Sequence, residues 1–312
     1  MLTFSDEIKQ KAFEIGFHKI GIVPAEPLLE EHERLKDWLG GGFHGEMAWM
    51  EREPEKRSDP RLLFTEAKTV LAVALNYFTG HEHQDNAEKG KLSRYAWGDD
   101  YHDVVREKLT ELLDWIKTQD PLADGKICVD TAPMMDKAWA VRAGLGWLGK
   151  HSNLITTDIG SWVFIGSILL NLELDYDTET VDDHCGTCTA CIDACPTNAI
   201  VEPYIVDSRK CISYATIELR DETLPADIVA NQNGWMYGCD ICQDVCPWNR
   251  FETPTAETRF EPRSGETSLP LHVIAEMTHE EYVTRFRRSA IKRTKLTGLK
   301  RNANALRSRP TS

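Results

Sequence analysis

The sequence contains no apolar run that approaches the roughly 20 residues needed by a membrane-spanning helix. Its first residues include no basic segment, no twin arginine and no apolar signal segment, so we expect no export. A disulfide framework belongs to short secreted chains, whereas this chain has 312 residues and a net charge of −14. These absences favour a protein of the reducing cytoplasm, long enough for two domains and without a membrane partner.

Basic residues are scarce except near the C-terminus. From Arg285 onward the sequence has ten Lys or Arg and no Asp or Glu, while the remainder has 26 basic and 50 acidic residues. Such asymmetry is typical of proteins that contact nucleic acid. A basic tail that folds back on the acidic body would give the same pattern, and charge alone leaves both interpretations open.

Eight of the nine cysteines have the spacing of iron–sulfur ligands. Residues 185–196 read C-x2-C-x2-C-x3-C-P, and residues 239–247 read C-x2-C-x3-C-P after an isolated Cys211. In two-cluster modules the last cysteine of each run binds the other cluster. We therefore predict one [4Fe–4S] cluster on Cys185, Cys188, Cys191 and Cys246, and a second on Cys195, Cys211, Cys239 and Cys242.

Other uses of these cysteines fit less well. Structural zinc takes pairs of C-x2-C and does not require the C-x3-C-P ending. The ninth cysteine, Cys128, lies in an apolar run and is predicted to be a small buried residue, not a reactive thiol.

Residues 1–175 alternate between helical and strand patterns. Ser5 is a candidate cap for a helix that places Ile8, Ala12 and Ile15 on one face and ends at Gly16. Strands are predicted at 19–23, 70–75 and 162–170, and helices at 101–116 and 136–143. We predict an α+β protein made of an N-terminal α/β domain (1–175), a ferredoxin-like two-cluster module (176–255) and a basic helical segment (256–312).

Two nucleotide-binding motifs match the sequence but lack the structural context that they require. Gly144 to Gly149 fits G-x-G-x-x-G, and the same stretch up to His151 nearly fits a P-loop. A helical pattern precedes them where a strand is required, and His151 replaces the Ser or Thr of a P-loop. We reject both and expect a tight turn or a close backbone approach at these glycines. His81 and His83 lie in a polar loop and are assigned no metal.

Outside the cysteine runs, further stretches resemble the epoxyqueuosine reductases, the cobalamin- and iron–sulfur-dependent enzymes of queuosine synthesis in tRNA. These stretches are spread over nearly the whole chain, at 54–61, 93–102, 129–133, 142–150, 289–293 and 298–303. The resemblance implies that the N-terminal domain holds base-off cobalamin against the cluster module. It also implies reduction of epoxyqueuosine to queuosine, with loss of water, at the wobble position of a tRNA with a GUN anticodon.

Individual residues acquire roles from the same resemblance. Asp130 matches the proton donor of the family, and the corrinoid contacts are expected from Arg57, Trp97, Asp130, Gly238 and Asp240. From the basic tail, we expect phosphate contacts with tRNA from Lys292, Arg293, Lys300 and Arg301. No Asp-x-His-x-x-Gly motif occurs, so we expect cobalamin without a protein histidine ligand. We further expect a monomer that takes electrons from an external donor.

The chemistry agrees with this interpretation. Deoxygenating an epoxide takes two electrons and two protons, whereas each cluster passes one electron, so a two-electron centre such as reduced cobalt is needed. The leaving oxygen needs an acid, and a desolvated carboxyl such as Asp130 could hold a proton near neutral pH. Taken alone, Asp130 would more readily be a turn cap before Pro133.

Two other classes of protein would use some of the same features. A corrinoid reductive dehalogenase would use similar cofactors on a small organohalide, but those enzymes typically carry the twin-arginine signal that is absent here. A simple electron-transfer ferredoxin would require neither the 175-residue N-terminal domain nor the basic tail.

Overall fold

The structure is a computed structural model that describes residues 2–84 and 86–308. Arg309, the last basic residue of the tail, lies outside the described residues. The helices are α1 (Phe4–Ile15), α2 (Leu29–Gly40), α3 (Pro54–Ser58), α4 (Tyr101–Gln119), α5 (Asp136–Arg142), α6 (Ala190–Asp193), α7 (Ile212–Ile217), α8 (Ala226–Asn231), α9 (Ile241–Asp244), α10 (Leu271–Glu276), α11 (His279–Arg285) and α12 (Lys295–Arg307). The strands are β1 (Lys19–Pro24), β2 (Thr69–Asn76), β3 (Lys89–Leu92), β4 (Gly125–Cys128), β5 (Trp147–Leu148), β6 (Leu154–Ile155), β7 (Val163–Leu170), β8 (Ile200–Glu202), β9 (Ile205–Val206), β10 (Trp235–Tyr237) and β11 (Ser268–Pro270).

A four-stranded sheet forms the centre of the N-terminal region, with strand order β1-β2-β7-β4. Every residue of β2 is buried, because both faces of the sheet are covered. Successive side chains of a strand point to opposite faces. Leu71 and Leu75 accordingly pack in the core with α1 and α4, while Val70 and Ala74 pack in the core with α5.

The pairing of these strands differs from the α/β description given for residues 1–175. β1 with β2, β2 with β7 and β4 with β7 all pair antiparallel. The helices between them therefore do not act as crossovers between parallel neighbours. The expectation of a mixed helix-and-sheet protein is confirmed, and within it this region has an antiparallel sheet with helices on both faces.

The N-cap of the first helix lies two residues before the predicted cap, Ser5. Thr3 is the N-cap and forms a capping box with Asp6, while the Ser5 hydroxyl is buried and accepts a hydrogen bond from the backbone N–H of Asp175 at 2.9 Å. The predicted buried face and the left-handed Gly16 end of the helix are both confirmed. Because the Thr3 hydroxyl accepts the Asp6 backbone N–H of the first turn, Ser5 is not needed as the cap. Its hydroxyl instead binds the backbone at Asp175.

A second sheet joins distant parts of the chain. β3 lies between β10 and β11, so that it brings together strands from all three predicted segments. The core around it contains Trp97, Met236, Tyr237 and Leu299, the last from α12. The C-terminal helices are thus packed on the rest of the molecule.

The cysteine-rich segment is built from very short elements. α6 and α9 have four residues each, and α6 directly contacts α9. Short helices and turns of this kind depend on packing and ligands for stability, because isolated helices of this length are unstable in water.

The glycine motif and Cys128 are accounted for by packing. A Cβ on Gly146 would lie 2.0 Å from the carbonyl oxygen of Ile155, and α5 precedes the motif, in agreement with the rejection of a nucleotide site. Cys128 is fully buried in the core, and burial raises the pKa of its thiol to about 12. No described helix is both long and apolar enough to span a bilayer.

Candidate active site

Asp130 lies just beyond the end of β4 with a left-handed backbone, φ +51°. Aspartate tolerates this conformation better than most residues, and it turns the side chain away from the sheet. The Asp130 Oδ2 lies 3.1 Å from Nε2 of His102, and the Tyr101 hydroxyl also hydrogen bonds the carboxylate. No described backbone N–H donates to the carboxylate, and the turn is closed by Thr131 N donating to Val129 O, so the turn-cap alternative is wrong.

The carboxyl of Asp130 is accessible to solvent and yet desolvated. Its side chain is 60 % exposed, but desolvation is the largest influence on its pKa and acts to raise it. The hydrogen bond and charge of His102 outweigh this effect and lower the pKa of Asp130 below its usual value. A carboxylate that stays accessible while the surrounding protein desolvates it lies in a concave part of the surface, which we call the cleft.

α5 contributes a second pair of charged groups to this cleft. Lys137 is exposed, yet desolvation lowers its pKa, and it faces the thiols of Cys242 and Cys211 as well as Asp130 and Asp136. Its ammonium donates to Ser152 O at 2.7 Å. Lys137 therefore lies between the Asp130 loop and the second set of cysteines.

Two buried polar atoms near the cleft lack hydrogen-bond partners among the described residues. They are Nε of Arg57 and Oδ1 of Asp136. The Arg57 guanidinium donates to Trp49 O at 2.9 Å and interacts electrostatically with Asp136. Desolvation, followed by the charge of Asp130, raises the pKa of Asp136 to about 7. Buried unpaired donors and acceptors are costly unless a ligand completes them, which marks this wall as a binding surface.

The structure brings the eight cysteines together in two groups of four. Cys185, Cys188, Cys191 and Cys246 line one cavity. Cys242 interacts with Cys211 and, more weakly, with Cys191 and Cys195, while Cys239 interacts with Cys211 and Cys242. The first group agrees with the crossed pattern of the sequence runs, and the cluster on Cys195, Cys211, Cys239 and Cys242 stays a prediction.

Hydrogen-bond donors surround both groups of thiols. In the first group, the backbone of Lys150 and the indole of Trp147 lie close enough to the Cys185 thiol to lower its pKa, although its burial has the larger, opposite effect. In the second, Cys195 Sγ accepts from Ala199 N at 3.3 Å, and Cys211 accepts from two backbone N–H groups. Such donors stabilise the thiolates that hold an iron–sulfur cluster, so the residues fit this cofactor.

Lys150 supports the first group from beneath. Its side chain is buried, and its ammonium donates to the carbonyl oxygens of Gly186 and Cys188 at 2.6 and 2.9 Å. A buried cation therefore lies directly under the Cys185–Cys191 loop.

Three of the residues predicted to contact the corrinoid are in contact with other parts of the protein. Trp97 is buried, and its indole donates to Leu92 O at 2.8 Å. Gly238 has φ +71°, and a Cβ there would lie 2.4 Å from the Cβ of Ser93. Asp240 is 1 % exposed and accepts from Ser93 and from the Arg94 backbone N–H. Asp240 and Gly238 thus join the 93–94 turn to the second cysteine run.

The predicted tRNA-binding residues divide into two kinds. Arg301 donates to Leu219 O and Asp221 O at 2.9 Å and to Ala215 O at 2.8 Å, so its guanidinium is fully used within the protein. Arg293 forms a two-point bond with Glu218 at 2.8 Å. Lys292 is exposed and Lys300 half-buried, and neither ammonium has an ion-pair partner among the described residues.

Sequence reasoning missed His102, Asp100 and Lys150 as parts of the site. All three lie within the stretches that resemble the family, but residue type alone gave them no role. Asp100 is the N-cap of α4, so the pattern of an Asp before a helical run predicts its position. The Asp130 carboxylate that binds His102 is 28 residues away from it in the chain, and this contact could not be deduced from that pattern.

Comparison with known proteins settles which family this is. A family model for epoxyqueuosine reductase QueG, DUF1730, matches residues 57–131, and a 4Fe-4S double cluster binding domain matches residues 184–249. The epoxyqueuosine reductase of Cellulophaga algicola is 48 % identical over 97 % of this chain and 98 % of its own length. The chain belongs to the epoxyqueuosine reductase family.

Other relatives also match nearly the whole of this chain. The epoxyqueuosine reductase of a Synechocystis strain is 47 % identical over 92 % of this chain and 99 % of its own. A crystal structure of epoxyqueuosine reductase with a modified tRNA-Tyr stem loop matches with a TM-score of 0.90 and 32 % identity, over 97 % of this chain and 80 % of that one. The enzyme from Bacillus subtilis, solved with an aspartate catalytic loop swung out of its active site, matches with a TM-score of 0.88 and 30 % identity.

The cofactors of the family are two [4Fe–4S] clusters and cobalamin. The thiol groups and their N–H donors fit the clusters. The cleft fits a corrinoid rich in amides, because Arg57 and Asp136 present unpaired polar atoms there and Lys137 faces the second group of cysteines.

Proposed function

We propose that this chain reduces epoxyqueuosine to queuosine in tRNA, with Asp130 as the catalytic residue that gives protons to the epoxide oxygen. The observation that carries the proposal is the position of Asp130, an accessible but desolvated carboxyl in the cleft that Lys137 shares with Cys211 and Cys242. The aspartate loop of the Bacillus subtilis relative supports a mobile Asp130 turn, whose left-handed backbone is the point where it leaves β4.

The residues of this cleft have separable tasks. Arg57, Asp136 and Lys137 would hold the corrinoid, which supplies two electrons to the substrate when it is bound and reduced. Asp130 binds the substrate oxygen and protonates it.

Clusters held by the two cysteine groups would supply single electrons to the cleft. The thiols of Cys195, Cys211, Cys239 and Cys242 would hold the nearer cluster, because Lys137 of the cleft interacts with two of them. Cys185, Cys188, Cys191 and Cys246 would hold the cluster that accepts electrons from the external donor. We retain the division into 1–175, 176–255 and 256–312, with the β10-β3-β11 sheet shared among these parts.

The C-terminal segment is the proposed tRNA surface. A relative has been solved with an epoxyqueuosine-modified stem loop, which supports a tRNA with a GUN anticodon as substrate. Lys292 and Lys300 have free ammonium groups for phosphates, and Arg293, which interacts electrostatically with Asp130, would contact the RNA nearest the cleft. The role of Arg301 in this binding is to hold the surface in place, since its own donors are taken.

The test is anaerobic turnover with an epoxyqueuosine-containing anticodon stem loop. Protein reconstituted with iron, sulfide and cobalamin, and supplied with a low-potential reductant, should form queuosine, detected by chromatography of the nucleosides. An organohalide assay is run in parallel. Dehalogenation without queuosine formation would favour the reductive dehalogenase alternative and contradict the proposal.

A further inference from the structure

Removal of an epoxide oxygen as water consumes two protons. Both C–O bonds of the ring break, a C=C bond forms, two electrons enter from the reduced cofactors, and the oxygen leaves with both protons. A carboxyl holds only one proton at a time, and Asp130 is held as a carboxylate by its neighbours. Asp130 therefore has to receive its protons from a group within the cleft.

His102 is the group that touches it. The Nε2 of His102 lies 3.1 Å from Oδ2 of Asp130, and its Nδ1 lies 2.7 Å from Oδ1 of Asp100. Asp100 is fixed in turn as the N-cap of α4, where the same oxygen accepts the His102 backbone N–H at 3.1 Å. The three side chains form a continuous carboxylate–imidazole–carboxylate chain.

The ring of His102 is held in this orientation from the side. It stacks on Tyr101 with ring centroids 4.0 Å apart, and Tyr101 stacks on Phe164 of β7 at 4.4 Å. The His102 side chain remains 25 % exposed, which leaves a route for protons from water. A carboxylate on one nitrogen of an imidazole fixes which proton the other nitrogen can pass on.

We propose that His102, oriented by Asp100, stores the protons for the reaction and passes them to Asp130. This inference rests on the proposed function, in which Asp130 protonates the substrate oxygen. Each proton moves from the His102 imidazolium to the Asp130 carboxylate and then to the oxygen, and water reprotonates His102 after each transfer. His102 does not contact the substrate and acts only through Asp130. We therefore call it a positioning residue and not a catalytic one.

The surrounding charges favour a proton on His102. Desolvation opposes the imidazolium, but the hydrogen bonds and charges of Asp100 and Asp130 raise the pKa of His102 to about 9. Other charged or titratable groups face the relay or its two carboxylates: Tyr95, Tyr101 from α4, Asp136 and Lys137 from α5, Tyr237 from β10, and Arg263 and Arg293 from the C-terminal part. Below about pH 9 the relay is loaded, and it loses its proton as the pH rises through this value.

The activity test compares His102→Gln with Asp103→Asn. Glutamine keeps a hydrogen bond to Asp130 but cannot store a proton. Asp103 is a half-exposed carboxylate of the same helical turn, and its one ion-pair partner within residues 2–84 and 86–308 is Arg288, at 3.5 Å. We expect the single-turnover rate of His102→Gln to be about 10²-fold lower and to lack the fall near pH 9 seen in wild type. Asp103→Asn should behave as wild type. Cluster content and RNA affinity should be unchanged in both, and a His102→Gln enzyme with the wild-type rate and pH profile would overturn the relay.

A second measurement needs no turnover. The ¹³C NMR signal of the His102 ring should titrate with a pKa near 9 in wild-type protein and at a lower value in Asp100→Asn. A ring that titrates near the ordinary histidine value of about 6.5 would overturn the proposal. Failure of wild-type protein to make queuosine would instead contradict the proposed function, and the NMR result would still decide whether His102 stores a proton.

Discussion

Some basic side chains of the C-terminal segment are free to bind RNA, and others are hydrogen-bonded within the protein. Neutralising the first kind should weaken RNA binding, and neutralising the second kind should lower stability. Lys292 and Lys300 have no ion-pair partner among the described residues, whereas Arg301 donates to three backbone carbonyls. In Lys292→Gln with Lys300→Gln, two phosphate contacts are lost. Because each contact contributes about 0.7–0.9 to the slope of log affinity against log salt, the slope should flatten by about 1.4–1.8. The stability of the protein should be nearly unchanged.

Arg301→Gln should have the reverse effect. The shorter side chain leaves the carbonyls of Ala215, Leu219 and Asp221 without their donor, and one orphaned buried acceptor costs about 1–3 kcal/mol. We expect a lower urea midpoint with an unchanged salt slope. The assay is stem-loop binding by fluorescence anisotropy at several salt concentrations, together with urea unfolding of each variant. A flattened slope for Arg301→Gln with full stability, or no change of slope for the lysine pair, would refute this reasoning.

Three further predictions concern the clusters and their support. Cys246→Ser should remove the cluster held by Cys185 and leave the one held by Cys239, with iron falling from about eight per chain towards four, and loss of the Cys239 cluster in EPR spectra would contradict the crossed assignment. Lys150→Met removes a buried cation from beneath the cluster loop, so the reduction potential of that cluster should become more negative in EPR-monitored titrations, while Lys150→Arg should restore most of the shift. Gly146→Ala places a Cβ 2.0 Å from a backbone oxygen and should lower the yield of folded protein, whereas Gly40→Ala, where a Cβ meets nothing within 4 Å, should not.

Much of the fold follows from local patterns in the sequence. The apolar periodicity of α4 and the continuous apolar run of β2 reflect burial, which is repeated along the chain and can be read residue by residue. The direction of strand pairing is not encoded in this way. The first residues of β2 and β7, Thr69 and Val163, are 94 positions apart, and only tertiary packing decides that the strands run antiparallel.

The candidate site was predictable to different degrees for different residues. The cysteine ligands are set by spacing within short turns, so the sequence predicts their two groups directly. The relay of Asp100, His102 and Asp130 depends on a contact between α4 and the turn after β4. Neither residue type nor spacing indicates that contact, because histidines near acidic residues are common on protein surfaces. Arg301 shows the opposite case, since its charge indicated RNA binding and its structural partners show an internal role.

The role of Asp130 as the acid is tested most directly by Asp130→Asn in single-turnover conversion of epoxyqueuosine-containing stem loop. Asparagine tolerates the left-handed backbone at this position, with φ +51°, and retains a hydrogen bond to His102, but it cannot release a proton at neutral pH. We predict that the variant retains both clusters, cobalamin uptake and RNA affinity, while its rate falls by about 10²–10⁴-fold. A rate close to that of wild type, with the same cofactor content, would contradict the account.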